Sequence, residues 1–203
     1  MRLLPRLAGR SSCIVALVLG LATPAFADTW ILSREYTNVT FSWDNLGLSR
    51  QSARVHEVEG TLEFSPTDPE RGAIDVVMKT ASIRSGVEAF DRLLKGPDYF
   101  NAGQNPLITF RSTGVRKIGD KTGELSGELT ILGKSRPVTL DVTWNYTGPH
   151  PMSDLNANFK GKTVSGFSAT GRLLRSEWGL SRAVPIVSDE IRVTIETELT
   201  LKD

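Results

Sequence analysis

The chain has 203 residues, enough for one domain with a sizeable core. Its 24 Lys and Arg against 23 Asp and Glu give a formal net charge of +1 with no block of like charge. That balance excludes the basic stripe of a nucleic-acid surface and the polybasic patch of a membrane-bound one.

Arg2, Arg6 and Arg10 precede an apolar run from Cys13 to Ala22, and Ala25-Phe26-Ala27 follows. This is the pattern of a secretory signal peptide, with an apolar part too short to anchor a protein in a membrane. Cleavage is expected after Ala27, which gives residues 1–27 as signal, residues 28–203 as one domain, and the periplasm as its compartment. The only cysteine, Cys13, lies inside the signal. Disulfides, thiolate metal sites and cysteine nucleophiles are therefore not expected in the mature chain. Without the three signal arginines, 21 basic side chains face 23 acidic ones.

Asp28–Leu32 is a short apolar segment. From Asn38 to Trp43, Val39, Phe41 and Trp43 alternate with polar residues, the period of a strand with one dry face. Asp44 to Gln51 reads as a connection. Arg54 to Phe64 is a strand with Val58, Gly60, Leu62 and Phe64 inward, Glu57, Glu59 and Glu63 in water, and His56 at inward parity near its start. After a turn at Ser65–Gly72, Ala73 to Ala81 places Ile74, Val76 and Met78 inward.

The period then changes. Ser85-Gly-Val-Glu88 has the form of a capping box, and Val87, Phe90, Leu93 and Leu94 share one helical stripe. Glu88, Asp91, Arg92 and Lys95 fall mostly off that stripe. Phe90 and Leu94 are expected to cover apolar lining. Gly96-Pro97 ends the helix, and Tyr99 and Phe100 sit in the loop beyond.

Leu107 to Ile118 returns to strand with Ile108, Phe110 and Ser112 on one side, and Gly119-Asp120-Lys121 reads as a hairpin. Two long strands follow, joined by a tight turn at Gly133-Lys134. Leu125, Gly127, Leu129 and Ile131 share one face of the first; Val138, Leu140, Val142, Trp144 and Tyr146 share one face of the second. Thr147 to Lys162 is a loop. Phe167, Ala169, Gly171 and Leu173 face inward from the strand Thr163–Arg175. After the loop Ser176–Ser188, Ile191, Val193, Ile195, Leu199 and Leu201 do so from Glu190–Leu201.

Eight long strands and one helix, with charged faces outward, specify an all-β fold: an extended eight-stranded antiparallel barrel with one inserted helix. Small residues at inward positions (Gly60, Gly127, Ala169, Gly171) point to a coiled sheet, a hollow axis, or both. From these rows and the helix, the candidate lipid-binding residues are Val39, Phe41, Trp43, Val58, Gly60, Leu62, Ile74, Val76, Met78, Phe90, Leu94, Phe100, Ile108, Phe110, Gly127, Leu129, Leu140, Val142, Trp144, Phe167, Ala169, Gly171, Val193 and Ile195, a set suited to a long hydrocarbon chain.

Catalytic patterns are missing. Neither His56 nor His150 has a second ligand at metal spacing. Gly166 to Gly171 lacks the spacing of a nucleophile elbow and has no helix after it. The alternating Glu57, Glu59 and Glu63 read as solubilising charges. Arg175 and Trp178 either close one barrel end or form ordinary core under a loop. No catalytic residue, metal or cofactor is expected; a homodimer remains open, and so does an enzyme acting on a lipophilic periplasmic substrate.

Three stretches carry a family resemblance: Gly127-Glu-Leu-Thr-Ile-Leu-Gly-Lys-Ser-Arg-Pro-Val138; Asp98-Tyr-Phe-Asn101 leading into Pro106-Leu-Ile-Thr-Phe-Arg-Ser112; and Arg175-Ser-Glu-Trp-Gly179 followed by Val187-Ser-Asp-Glu190. In this order and spacing, the chain resembles the YceI-like family, periplasmic lipocalin-like polyisoprenoid-binding proteins. The resemblance implies a lipocalin-like barrel holding a polyisoprenoid or similar lipid, such as an isoprenoid quinone precursor, along its axis, without metal. Family histidines and an Arg-Asp pair correspond here to Tyr36, Asn45, Leu93 and Phe90-Asp91, so headgroup contacts do not carry over.

Overall fold

The computed structural model describes residues 27–202, so the signal-peptide reading lies, apart from Ala27, outside the described residues. Eleven strand segments form one sheet: β1 Asp28–Leu32, β2 Asn38–Asn45, β3 Ser49–Val55, β4 Val58–Phe64, β5 Ala73–Lys79, β6 Ile83–Arg84, β7 Leu107–Lys117, β8 Thr122–Ile131, β9 Lys134–Pro149, β10 Thr163–Leu174 and β11 Glu190–Leu201. The helix α1, Glu88–Lys95, lies between β6 and β7.

Pairing reduces these segments to eight staves. β1 and β2 run end to end along β11, with Leu32 opposite Leu199 and Asn38 opposite Glu196. β4 and β3 pair with β1 and β2 in the same way, and β5 and β6 pair with β4 and β3. Those three interrupted staves precede five continuous ones, β7 to β11. Every neighbour is antiparallel, and the contact of β1 with β11 closes the ring. The fold is the expected eight-stranded barrel with one inserted helix.

Interruptions fall where the sequence pattern runs on. Arg54–Phe64 is not one strand: it breaks at His56-Glu57, so β3 pairs with β2 while β4 pairs with β1. His56 is exposed at that break rather than inward. Glu57 pins the break from outside through ion pairs to Arg34 and Lys79, each 2.8 Å. The Lys79 hydrogen bond, with both positive charges, holds the Glu57 carboxyl below its ordinary range. The Asp44–Gln51 connection shrinks to Leu46–Leu48 because β2 and β3 zip together up to Asn45 and Ser49. The apolar segment before Ser33 becomes β1, where Trp30 is fully buried and its Nε1 donates to the Phe64 carbonyl at 3.1 Å.

The β8–β9 turn is Leu132-Gly133, one residue earlier than the pattern suggests. Ile131 pairs with Lys134, and Leu132 and Gly133 have φ of 51° and 70°. Positive φ at both central residues is the turn whose twist suits a hairpin. β9 runs on to Pro149, shortening the expected Thr147–Lys162 loop. A bulge at Gly166/Phe167 moves Tyr146 out of the inward row, and its hydroxyl donates to the Pro149 carbonyl.

The staves end at two faces. At the turn end lie the segments 65–72, 118–121 and 150–162. At the helix end lie the 46–48 tip, α1 with its flanking loops, the 132–133 turn and the loop 175–189.

Candidate functional site

The inward rows do not meet across the axis. They leave a cavity of about 470 Å³, lined from the helix end to the turn end, within the usual size of ligand pockets. Of the candidate lipid-binding residues, all but Gly60 and Gly127 line it.

Those two glycines are covered by their neighbours. A Cβ at Gly127 would fall on the Phe110 ring. At Gly60 it would lie 2.6 Å from the Asp75 carbonyl and 3.2 Å from a Val76 methyl. Gly171 does border the cavity, yet its Cβ would sit 2.5 Å from Leu140 Cδ2. The inward glycines thus admit side chains from the adjacent stave, and the cavity lies beyond those side chains.

Helix α1 presents a different face from the expected stripe. Asp91 and Leu94 are buried, whereas Val87 is half exposed. Phe90 and Leu93 line the cavity but are 38% and 44% exposed, which puts them at its mouth. The capping box does not form: Val87 is the N-cap residue without a side-chain cap, and Glu88 pairs with Arg92 instead. Asp91 Oδ1 accepts from the Ser85 amide at 2.6 Å and the Ser85 hydroxyl at 2.7 Å. These bonds, the amide's first, hold its carboxyl below the ordinary aspartate value. They also turn Asp91 inward, which rotates the apolar stripe partly into solvent.

Arg175 secures the loop that closes the same end. It is 6% exposed, and its guanidinium donates to four backbone carbonyls: Ser188 at 2.8 Å, Val187 at 2.9 Å, Arg182 at 3.0 Å, and Leu180. Burial pushes its pKa down, opposed by Tyr99 and Asp189. An arginine starts so high that it remains charged. Asp189 accepts from the Ser176 amide and hydroxyl at 2.8 and 2.6 Å. Trp178 is fully buried, and its Nε1 donates to the Leu129 carbonyl at 3.0 Å. At this end the wall is split, because β9 pairs with β10 only from Asp141 onward.

Several lining residues escape a reading by alternation. The bulge between Ser112 and Gly114 shifts the phase of β7, so Val115 and Lys117 turn toward the cavity. Tyr99, Arg175, Leu180 and Val187 arrive from loops, where no period announces them. Inside the barrel, Thr37 and Thr197 share a 2.7 Å hydroxyl contact where the first stave is interrupted. The turn end is edged by Lys117, Asp120, Lys121 and Glu124. Among the described residues, no three His, Cys, Asp or Glu side chains converge as a metal site would require. His56 is exposed, and His150 stacks on Phe159 at 3.9 Å.

The family model of the YceI-like domain matches residues 30–199, and the chain belongs to that family. A UPF0312 protein of Azotobacter vinelandii is 27% identical over 191 residues, covering 91% of this chain and 95% of the relative. The crystal structure of the Campylobacter jejuni YCEI protein superposes with a TM-score of 0.69 at 28% identity, covering 77% of this chain and 88% of that one. A polyisoprenoid binding domain from Saccharophagus degradans shares the fold with a TM-score of 0.60 at 10% identity, covering 87% and 99%.

Proposed function

We propose that this YceI-like chain is a periplasmic binding or carrier protein that holds a long apolar lipid, of the polyisoprenoid class, along its barrel axis. One observation carries the reading: a closed antiparallel barrel keeps a cavity of about 470 Å³ walled by aliphatic and aromatic side chains over its length. Such a wall offers a hydrocarbon roughly 0.8 kcal/mol per buried methylene before ordering costs. The Saccharophagus domain, with the same fold, is a polyisoprenoid binding domain, which supports this choice of lipid class. The basic start and Ala-Phe-Ala sequence ahead of Asp28 support export through a cleaved signal.

Binding without chemistry is the better reading of the interior. Apart from Tyr99, Arg172 and Arg175, the titratable lining sits at the turn-end rim; Arg175 spends its donors on backbone carbonyls, and Arg172 pairs with Glu190 at 3.3 Å. An enzyme would need convergent acid, base or nucleophile groups around one reacting atom.

Mass spectrometry of an organic extract of protein purified from the periplasm tests the proposal. An isoprenoid lipid in near-equimolar amount is expected. Protein that carries no lipid, and takes up none when refolded with geranylgeraniol, would overturn it.

A further inference from the structure

The tip between β2 and β3 is built from the wrong residues for a solvent-exposed turn. Leu46 and Gly47 have φ of 59° and 69°. Left-handed positions at a hairpin tip favour Asn, Asp or Gly, and a branched aliphatic side chain there is strained. Leu46 nevertheless occupies one, 51% exposed, and Leu48 beside it is 82% exposed.

The tip is not isolated. The Leu46 amide donates to the Ile186 carbonyl at 3.1 Å, and Asn45 bridges to Val187. Ile186 is itself 66% exposed. Two separate segments are thus tied by backbone hydrogen bonds into one preformed aliphatic knob. Its inner neighbours Asn45 and Val187 line the cavity, as do the half-exposed Phe90 and Leu93 of α1. The apolar surface therefore continues from the axial cavity through its mouth to the outside.

At the turn end the pattern differs. Leu155 is 82% exposed, but the rim there is charged, with Lys117, Asp120, Lys121 and Glu124 between solvent and the apolar wall. Nor does the knob rely on charge, since nearby arginines are engaged: Arg50 with Asp44 at 3.2 Å, Arg182 with Asp98 at 3.0 Å, and Arg92 with Glu88.

We infer that Leu46, Leu48 and Ile186 form a docking tip that seats the helix end of the barrel in the apolar interface of a lipid bilayer. The inference rests on the proposed lipid-carrier function, because continuity with a lipid cavity selects a bilayer as the occupant. Insertion of aliphatic side chains without a cationic surround makes the attachment shallow, reversible and indifferent to anionic headgroups.

The test is sedimentation of the mature protein, from Asp28 onward, with sucrose-loaded vesicles of phosphatidylcholine alone or mixed with phosphatidylglycerol. The wild type should pellet equally with both. Leu48→Glu and Ile186→Glu each replace a surface side chain and should each weaken partition about tenfold, the scale of one buried aliphatic group. Leu155→Glu should not change it. Uptake of geranylgeraniol from detergent micelles, read by native mass spectrometry, should be the same for all four proteins. Failure of the wild type to pellet, or an equal loss with Leu155→Glu, overturns the docking tip while leaving the carrier function standing. Concentration-dependent dimers that Leu48→Glu abolishes, without vesicle binding, would also overturn it by assigning the knob to a second copy of the chain. Absence of geranylgeraniol uptake alongside the expected vesicle pattern would sink the carrier function and keep the tip.

Discussion

Strands β8 and β9 pair residue for residue from Ile131–Lys134 down to Thr122–Thr143, and plain alternation sets which side chains face the axis. At the helix end, the loop 175–189 has no period, and one guanidinium on four carbonyls holds it together. The wall distributes its stability over many interchangeable aliphatic contacts. The helix end concentrates its stability in a few polar anchors: Arg175, Trp178 Nε1, and the Asp91–Ser85 pair. Repeated apolar contacts tolerate single losses, whereas a buried polar anchor that loses its partner leaves an unpaired group in a dry place.

The largest effect should therefore come from Arg175→Met. It keeps much of the side-chain volume but orphans the carbonyls of Leu180, Arg182, Val187 and Ser188. A loss of about 3–5 kcal/mol is expected from urea unfolding at unchanged m-value. A loss under about 1 kcal/mol would mean that water replaces the guanidinium and that the end is not anchored as described. Wall positions should be milder. Gly127→Leu drives its side chain into the Phe110 ring and should cost about 1–3 kcal/mol. Pairing it with Phe110→Ala should return part of that cost, a coupling a double-mutant cycle resolves. Additive losses would show that the Phe110 ring is not what occupies the space over Gly127.

The same contrast explains what could be read from residues alone. Alternation in β2, β4, β5 and β7 to β11 specified the barrel, its inward faces and the aliphatic and aromatic strand residues that wall the cavity, because one buried face forces period two. What interrupts alternation was hidden. The bulge at Ser112/Gly114 that turns Lys117 inward depends on a hydrogen-bond pattern with β8, where Ser112 Oγ also accepts the Ile74 amide at 2.8 Å. Gly60 and Gly127 were legible as small inward residues, but only the partner stave reveals the side chain that fills their space. The Ser176–Ser188 loop carries Trp178 and follows Arg175, yet nothing local shows that the guanidinium's partners lie 5 to 13 residues away.

Acid should separate the two regions. The Asp91 carboxyl has its pKa lowered in the folded protein, chiefly by the Ser85 amide and hydroxyl. A depressed folded pKa contributes stability that is fully present above the unfolded value, about 3.9, and is lost as pH falls through the folded value. Below about pH 4, amides of 85–95 should exchange hydrogen faster while those of β8 and β9 keep their protection. Asp91→Asn should raise exchange in 85–95 at neutral pH and flatten its acid response. Uniform loosening of wall and helix end together would show that Asp91 is not the local acid-sensitive anchor.

The smallest effect is the most direct probe of how α1 sits. The sequence stripe groups Val87 with Phe90, Leu93 and Leu94, and a helix docked in that phase would bury Val87. In the structure Asp91 takes an inward position, drawn there by Ser85, and the helix is rotated so that Val87 is 50% exposed while Leu94 is 7% exposed. Burying a hydrogen-bonded carboxylate at the expense of a valine is unfavourable by transfer alone. The rotation holds because Asp91 receives two bonds from Ser85, at the turn that starts the helix. Val87→Ser should then change stability by no more than about 0.5 kcal/mol, the usual range for an exposed site. Leu94→Ala should cost about 2–3 kcal/mol, as for a buried leucine. If Val87→Ser costs as much as Leu94→Ala, the helix docks on its apolar stripe, and the Ser85 bonds do not set its phase.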